Sequence, residues 1–352
     1  MSTNVVNVAV IGAGYWGPNL IRNLVELPQT NLVAVVDMRE ERLNHIATLY
    51  PSVKTFKDYH ELFTLDLDAV VIATPPATHF SIARDCLEHN LHTLVEKPLT
   101  LRSEDAQELI ALAEQRGLTL MVGNTFEYNA AVRMLRDLIT SGELGEIYYV
   151  NAVRTNLGLF QSNVNAMWDL APHDLSILLY ILGQEPDTVS AQGGASIFAH
   201  IYDVVYMHLK FKSSLLAHIH VSWLDPCKVR RITVVGSKKM AVYDDVETLE
   251  KIKIYDRGVD RPPYTDSYAD FHCSYRYGDI VTPHIQLVEP LRAECIHFAE
   301  SIINKTPPRS DGTVGLRIVK ILEAASRSLD ENGAVVGIEP TPSRLSAAAA
   351  RS

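Results

Sequence analysis

The sequence predicts an α/β protein of two domains: an N-terminal domain on a parallel, doubly wound sheet, and a C-terminal α+β domain with a large open, mainly antiparallel sheet. Over residues 1–125, short Val/Ile/Leu runs alternate with amphipathic stretches, as expected of parallel strands covered by helices on both faces. After about Gly145, apolar and polar residues alternate with a period of two, which indicates strands with one covered face. A length of 352 residues accommodates two such domains.

The first domain, residues 1–125, is predicted to be a nucleotide-binding domain in which strands and helices alternate. Each predicted strand is a continuous apolar run, and each stretch between two strands has helical periodicity. The strands are Val5–Ile11, Leu32–Asp37, Ala69–Ala73, His92–Val95 and Thr119–Val122, and the helices are Trp16–Glu26, Glu40–Leu49, His79–His89 and Ser103–Gln115.

The second domain, residues 126–340, is predicted to bind substrate and to form oligomers. Proline is tolerated in the first turn of a helix, so Pro172 predicts a helix that starts near Asp169. Residues 257–288 are predicted to be a long irregular loop serving a site or an interface, and residues 341–352 a disordered tail. The strands are Ile147–Thr155, Val189–Ala195, Val204–Phe211, Leu215–Ser222, Arg230–Val235 and Leu249–Ile254, and the helices are Asn129–Ser141, Leu170–Leu182, Leu291–Ile303 and Thr313–Leu329.

The amino-acid composition argues against several kinds of binding partner. A net charge of −10 without a cluster of Lys and Arg argues against nucleic-acid binding, which rests on such clusters. No apolar run approaches roughly 18 residues, so no membrane span is predicted. The four cysteines are scattered and His218 and His220 lack a third ligand at sensible spacing, so neither a disulfide framework nor a metal site is expected. A small-molecule substrate and a cytoplasmic location are predicted.

The turn after the first strand carries the strongest motif, Gly12-Ala13-Gly14-Tyr15-Trp16-Gly17. In a G-x-G-x-x-G turn, glycine permits the tight bend and the close approach of a pyrophosphate, and the following helix N-terminus attracts the phosphate charge. Asp37 ends the second strand twenty residues after Gly17, where a carboxylate accepts hydrogen bonds from an adenosine ribose. The sequence therefore predicts a dinucleotide site.

Asp37 also bears on the choice of dinucleotide. A carboxylate repels a 2′-phosphate, which favours NAD over NADP. Arg39 lies two residues further on and offers the alternative, since a guanidinium at that place binds the 2′-phosphate.

Two more loops follow strands at the carboxyl edge of the predicted parallel sheet, where open α/β sheets bind ligands. Lys97, between Glu96 and Pro98, can donate a hydrogen bond to an alcohol or alkoxide there; the alternative is a solvated lysine on a surface turn. The loop from Thr74 and Pro75 to His79 can cover the nicotinamide half of the cofactor, or it is a rigid turn before a helix.

Asp169 and His173 are four residues apart on the predicted helix and share one of its faces. The carboxylate can orient the imidazole and stabilise its cation, so the pair is suited to take a proton from a hydroxyl near neutral pH. The alternative is an Asp169 that caps the helix beside a half-buried His173.

With these motifs, the chain resembles the glucose–fructose oxidoreductase, inositol dehydrogenase and rhizopine-catabolism (Gfo/Idh/MocA) family over about residues 5–338. The resemblance rests on the glycine motif, on Glu96-Lys97-Pro98 and on the D-x-x-x-H spacing of Asp169 and His173. It implies a Rossmann domain, a second domain with a large open sheet, a Lys97–Pro98 bond that is often cis, and dimers or tetramers formed through the open sheet face.

The resemblance also implies roles for individual residues. Lys97 and His173 face the substrate beside the nicotinamide, and Asp169 belongs to the same catalytic set. Asn124 departs from the histidine that many members carry at that place. The cofactor set is Gly12, Gly14, Tyr15, Trp16, Gly17, Asp37, Arg39, Thr74, Pro75, His79, Glu96 and Lys97, and the substrate set is Lys97, Asn124, Tyr128, Arg154, Asp169 and His173.

The expected activity is NAD-dependent oxidation of a sugar ring hydroxyl. The stretches Gly14–Asn19, Trp168–Ile177 and Tyr277–Leu291 are similar to members of nucleotide-sugar pathways, of the UDP-N-acetyl-glucosaminuronate 3-dehydrogenase type, which implies oxidation at C3. Three alternatives remain: a dehydrogenase of a free sugar or inositol, a redox-neutral, NAD-assisted enzyme that cleaves glycosides, and a cofactor-binding sensor without catalysis.

Overall fold

The computed structural model describes residues 5–161, 164–260 and 273–341 of the chain. The strands are β1 (Val6–Ile11), β2 (Thr30–Val36), β3 (Lys54–Phe56), β4 (Ala69–Ile72), β5 (His92–Glu96), β6 (Leu120–Gly123), β7 (Ile147–Thr155), β8 (Thr188–Gly194), β9 (Val204–Lys210), β10 (Leu216–Ser222), β11 (Val229–Gly236), β12 (Met240–Asp244), β13 (Ile252–Asp260), β14 (Ser274–Val281) and β15 (Val336–Gly337). The α-helices are α1 (Gly17–Glu26), α2 (Glu40–Leu49), α3 (His79–Glu88), α4 (Ser103–Arg116), α5 (Ala130–Thr140), α6 (Ala166–Leu182), α7 (Pro290–Asn304) and α8 (Gly312–Asp330).

The described residues divide into two compact units. The first comprises residues 5–128, 288–323 and 341, and the second residues 129–287 and 324–340, without the residues that are not described. The sequence assigned all of residues 126–340 to the second domain, whereas segment 288–323 returns to the first unit. The reason is the apolar face of α7, whose Leu291 and Phe298 are buried in the core of the first unit.

The first unit is the predicted doubly wound sheet. Its six strands are all parallel, in the order β3-β2-β1-β4-β5-β6. Alternate residues of β1 enter two separate cores: Val8 and Val10 pack with α1 and α7, whereas Ala9 and Ile11 pack with α3 and α4. Burial on both faces explains the continuous apolar strands. Strand β3 was not predicted, because three half-buried or exposed residues at a sheet edge carry little apolar signal.

The second unit carries a nine-stranded sheet in the order β14-β13-β12-β11-β7-β10-β9-β8-β15. Strands β7 and β10 pair in parallel and the other neighbours are antiparallel, so the predicted, mainly antiparallel sheet is confirmed. One face is buried against α5 and α6, for example at Val150 and Ala152 of β7. The opposite face exposes Tyr149 of the same strand.

Two predictions about this unit were wrong. Helix α6 begins at Ala166 and not near Asp169, because the Asn165 side chain accepts a hydrogen bond from the Trp168 N–H and caps it; Pro172 therefore lies inside the helix. The predicted irregular loop 257–288 contains the end of β13 and all of β14, which pair as antiparallel strands. Most residues of β14 are exposed, so burial leaves no period-two pattern to read.

Parts of the predicted loop and of the predicted tail are not described by the structure. Residues 261–272 of the predicted loop, with Tyr264 and Tyr268, lie outside the described residues, as does residue 342 onward of the predicted tail. Strand β12 was not predicted, because its five residues follow two lysines and are too few to establish a period. None of the described helices is long and apolar enough to cross a membrane.

Candidate active site

The glycine turn between β1 and α1 has the geometry of a dinucleotide cradle. Gly12 has a φ of +103°, and a Cβ there would lie 2.5 Å from the Ala73 carbonyl oxygen. A Cβ at Gly17 would collide with the Gly12 carbonyl, so the helix can start this close to the strand only with glycine. A Cβ at Gly14 would meet only the Arg42 guanidinium, at 3.2 Å. The turn thus leaves its backbone open to a pyrophosphate, and the residues fit the predicted cofactor.

Asp37 lies just beyond β2, 9% exposed, with its carboxylate fixed by the backbone. Its Oδ2 accepts from the Ala13 N–H at 2.9 Å, and its Oδ1 accepts from the Arg39 N–H at 2.9 Å. The nearby cation is Arg42, whose Nη1 lies 3.4 Å from Oδ2. Sequence reasoning named Arg39 and missed Arg42, which α2 brings back to Asp37 one turn later.

His79 is fully buried and joins two loops of the carboxyl edge. Its Nε2 lies 2.9 Å from the Thr74 carbonyl oxygen, and its Nδ1 lies 2.8 Å from the Pro98 carbonyl oxygen. Burial lowers the pKa of His79, against the two carbonyl contacts. Its place in the structure is therefore beneath the loops that follow β4 and β5. The loop above it carries Thr74 and Pro75 and is closed by the Thr78 hydroxyl, which donates to the Thr74 Oγ1 at 2.8 Å.

Lys97 follows the last residue of β5, and its peptide bond to Pro98 is cis, as the resemblance implied. Lys97 is partly exposed, whereas Glu96 and Pro98 on either side are buried. Burial raises the pKa of Glu96 to about 7, and the charge of Lys97 opposes this rise. Both residues stand on the same sheet edge as the glycine turn, where the Trp16 indole hydrogen-bonds the Glu96 carboxylate.

Two predicted substrate residues of the first unit are buried. Asn124 follows β6 and is 2% exposed, and Tyr128 is 5% exposed. The Tyr128 hydroxyl lies 3.1 Å from Ser310 Oγ, and the Arg309 guanidinium lies over its ring, 5.0 Å from the centroid. Burial raises the pKa of Tyr128, so it is neutral at physiological pH.

The second unit places Asp169 and His173 on one face of α6, as their spacing predicts. The Trp223 indole N–H donates to Asp169 Oδ2 at 3.1 Å. Trp223 is 1% exposed, so a rigid side chain from outside the helix fixes the carboxylate. His173 itself is half-buried. The sequence offered no signal for Trp223, which comes from the residue after β10.

Arg154 forms a buried ion pair in the second unit. Its Nε and Nη2 donate to the two Asp174 oxygens at 2.8 and 3.0 Å, and both side chains are less than 5% exposed. This bidentate pair joins β7 to α6, one residue after His173. Asp174 thus anchors the helix that carries Asp169 and His173 to the sheet.

Two family profiles match the chain. Residues 6–124 match the oxidoreductase family with an NAD-binding Rossmann fold, GFO_IDH_MocA, and residues 132–242 match the GFO/IDH/MocA C-terminal domain. A solved structure with the same fold, GenD2 from gentamicin A biosynthesis in complex with NAD, has a TM-score of 0.80 at 22% identity and covers 96% of this chain and 97% of that chain.

Several curated proteins are similar over much of the chain. The scyllo-inositol 2-dehydrogenase (NAD(+)) of Bacillus subtilis is 30% identical, covering 89% of this chain and 92% of its own length. The UDP-N-acetylglucosamine 3-dehydrogenase of Acidithiobacillus ferrooxidans is 27% identical, covering 89% and 94%. The 2,7-anhydro-N-acetylneuraminate hydratase of Mediterraneibacter gnavus is 25% identical over 60% of each chain. The chain therefore belongs to the Gfo/Idh/MocA family and is an NAD-binding oxidoreductase.

Proposed function

We propose that this protein oxidises a ring hydroxyl of a sugar or nucleotide sugar, at C3, with NAD as hydride acceptor. The observation that carries the proposal is the Asp169–His173 pair on α6, with its carboxylate held by Trp223. A protein that only bound the cofactor would have no chemical need for a histidine one helical turn from a fixed carboxylate. The similarity to UDP-N-acetylglucosamine 3-dehydrogenase supports both the substrate class and the carbon.

The cofactor is held by residues of the first unit. The glycine turn from Gly12 to Gly17 takes the pyrophosphate, Asp37 takes the adenosine ribose, and the loops at Thr74 and Lys97 take the nicotinamide end. Bound NAD supplies the acceptor for the hydride that leaves the hydroxyl-bearing carbon. Because Asp37 is an acceptor that repels a 2′-phosphate, NAD is preferred to NADP.

The protein's own groups move the proton. His173 removes the hydroxyl proton as general base, and Asp169 stabilises the imidazolium that forms. The Lys97 ammonium donates a hydrogen bond to the same oxygen and lowers its pKa as negative charge develops. In the reverse direction, His173 returns the proton to the oxygen of the ketone.

Substitutions test this assignment. Lys97→Ala and His173→Ala should each keep the fold and NAD affinity and lose about 100- to 10,000-fold in turnover. The double variant should lose less than the product of the two, because both act on one proton transfer. Asp169→Asn should cost less than His173→Ala, since Asp169 orients the base. Near-normal turnover of His173→Ala would refute the assignment.

The nature of the sugar is tested with matched substrates. Nucleotide-linked sugars, the corresponding free sugars and inositols are offered to the same preparation, and the rate of NAD reduction is compared. We expect turnover with the nucleotide sugar. Faster turnover of inositol would favour the alternative to which the similarity with scyllo-inositol 2-dehydrogenase points.

A second candidate function is a redox-neutral reaction, in which reduced cofactor is reoxidised before product leaves. The similarity to 2,7-anhydro-N-acetylneuraminate hydratase favours it. The two functions differ in stoichiometry: a dehydrogenase accumulates one NADH per product, whereas the redox-neutral enzyme forms product without net NADH. Absorbance of NADH measured together with product by mass spectrometry separates them.

We also propose that the protein is a homodimer or homotetramer formed through the outer face of the second sheet. This face, opposite α5 and α6, exposes large apolar or aromatic side chains at regular intervals, including Tyr149, Tyr206 and Leu216, which are 47%, 42% and 53% exposed. Exposed apolar and aromatic side chains grouped on one sheet face are typical of protein interfaces.

A further inference from the structure

Helix α7 buries a carboxyl group among apolar side chains. Glu294 is 0% exposed and lies one turn after Leu291 and one turn before Phe298, both in the core of the first unit. A carboxyl group in such a place must be paired or keep its proton. Its Oε2 accepts from the Thr125 hydroxyl at 2.9 Å, and Oε1 has no hydrogen-bond partner in the described part of the chain.

A second buried carboxyl group, Glu96, stands directly before Lys97. It is 8% exposed, and its Oε2 accepts from the Lys97 backbone N–H at 3.3 Å. Its Oε1 also lacks a partner among the described residues. The group packs on the last residue of β6, since a Cβ at Gly123 would lie 3.0 Å from Glu96 Cδ and from both oxygens.

The sheet brings these groups to one place, the carboxyl ends of β5 and β6. Glu96 is in register with Gly123, Asn124 and Thr125 follow at once, and Thr125 holds Glu294. The amide Nδ2 of Asn124, 2% exposed, likewise has no partner among the residues described. Buried polar atoms in a native protein are normally satisfied, so the two unpaired carboxyl oxygens call for a shared proton.

Charge decides which carboxyl group keeps that proton. Lys97 and the Trp16 hydrogen bond favour the ionised form of Glu96, although burial raises its pKa to about 7. Burial and the charge of Glu96 raise the pKa of Glu294 well above its ordinary value. Two buried carboxyl groups that interact titrate as a pair, and the one beside the cation ionises. The titratable groups that interact with the pair are Lys97, Glu127, Tyr128 and Cys295, and Cys295 also interacts with Glu289 and Arg22.

We propose that Glu294 is a positioning residue for Lys97: as a neutral acid it donates a hydrogen bond to the Glu96 carboxylate and so fixes the turn that carries the lysine. The proposal rests on the proposed function, in which Lys97 touches the reacting oxygen. A protonated carboxyl group has one donor, and the Glu96 carboxylate offers an acceptor in Oε1. Hydrogen bonds between an acid and a carboxylate are short and strong, which suits a fixed turn.

The test compares Glu294→Gln with Glu294→Leu. Glutamine keeps a donor and the shape of the neutral acid, whereas leucine keeps only the burial. The first readout is the pH titration of tryptophan fluorescence, which needs neither substrate nor NAD. It reports on Glu96 because Trp16 hydrogen-bonds that carboxylate. Wild type should show a transition near neutral pH that Glu96→Gln abolishes. Glu294→Leu should raise its midpoint by about one unit, the effect of one lost hydrogen bond to a charged group.

The second readout is steady-state kinetics. Glu294→Leu should lower kcat by roughly 10- to 100-fold, as expected when a reacting group is misplaced, with little change in KM. Glu294→Gln should restore both kcat and the midpoint, and Glu300→Leu, on the exposed face of the same helix, should change neither.

Three outcomes overturn the proposal: an unchanged midpoint in Glu294→Leu, a Glu294→Gln protein that behaves like Glu294→Leu, or a normal kcat in a leucine variant whose midpoint moved. If wild type oxidises no sugar, the proposed function fails, while the fluorescence titration still decides whether the two carboxyl groups share the proton.

Discussion

The carboxylate of Asp37 is oriented before any cofactor arrives, because two backbone N–H groups bind its two oxygens. It therefore serves the glycine turn as well as the ribose. Arg42 at 3.4 Å offsets part of its charge without removing the acceptor. Cofactor choice at this site is thus a balance between one fixed anion and one partly exposed cation.

We predict that Asp37→Ser weakens NAD binding by about 1–3 kcal/mol, because ribose hydroxyls and turn N–H groups lose their acceptor. Selectivity against NADP should fall at the same time, since the repulsion is lost and Arg42 is released. Dissociation constants for both dinucleotides measure this. Asp37→Asn, which keeps an acceptor without the charge, is the matched control and should lose selectivity with less loss of NAD affinity. Equal affinity of the wild-type protein for NAD and NADP would contradict the role of Asp37.

Because of Glu96, the free energy of unfolding should decrease as the pH rises. Its pKa is about 7 in the folded protein and 4.5 as a free side chain, so the folded state holds the proton more tightly. Stability should therefore fall as pH rises from about 4.5 to above 7, by up to about 3 kcal/mol.

Glu96→Gln removes this titration. We predict that the variant gains stability relative to wild type as the pH rises through this window, with no gain at acidic pH. Urea unfolding at several pH values measures the difference. If the two proteins differed in stability by the same amount at every pH, the pKa of Glu96 would not be raised in the folded protein. The exposed Glu300→Gln serves as control, with no trend expected.

At the scale of elements, the cofactor loops depend on a helix beneath them. His79, the first residue of α3, contacts the carbonyl oxygens of Thr74 and Pro98, and so couples the loop after β4 to the loop after β5. A neutral imidazole carries one N–H, so at any moment it donates a hydrogen bond to only one of these two carbonyl oxygens.

We predict that His79→Ala destabilises the protein by about 1–3 kcal/mol, because a buried carbonyl oxygen loses its donor. NAD binding should weaken as well, since both loops lose a common support. Thermal unfolding and NAD titration measure the two effects. The exposed His45→Ala, on α2, is the control and should change neither. Normal NAD affinity in a destabilised His79→Ala protein would mean that the loops are held in place without this bridge.

Elements were predictable where local pattern and burial agree. The parallel strands of the first unit bury both faces and read as apolar runs, and α2 was predicted with its observed bounds. The start of α6 was mispredicted because the rule for proline in a first turn outweighed the cap at Asn165. Strand β14 was missed because it is exposed, and only its pairing with β13 defines it.

Candidate site residues were predictable where a motif fixes spacing along the chain, as for Gly12, Asp37, Lys97 and the Asp169–His173 pair. The residues that support them could not be predicted, because they come from distant elements. Trp223 hydrogen-bonds Asp169, Asp174 pairs with Arg154, and Glu294 interacts with Glu96. Sequence periodicity predicts that a position is buried. It does not predict which residue of another segment will contact that position.

At the scale of the whole molecule, the second sheet has one covered and one uncovered face. The uncovered face carries a ladder on β9 and β10 in which Tyr206 stacks on His220 at 4.3 Å and His208 faces His218. Partial burial lowers the pKa of His218 and His220, so both are neutral at physiological pH and add no charge that would oppose association.

We predict that the wild-type protein is a dimer or tetramer at micromolar concentration and that Tyr149→Arg with Tyr206→Arg converts it to monomers. The arginines stand on neighbouring parts of one exposed sheet face, where a self-complementary interface would bring like charges together and leave them desolvated. Light scattering coupled to size exclusion gives the mass of each species.

NAD affinity should persist in the monomer, because every residue assigned to the cofactor belongs to the first unit. Leu49→Arg, on exposed α2, is the matched apolar-to-charged control and should keep the wild-type mass. A wild-type monomer at micromolar concentration, or an arginine variant of unchanged mass, would place the oligomeric interface elsewhere or remove it.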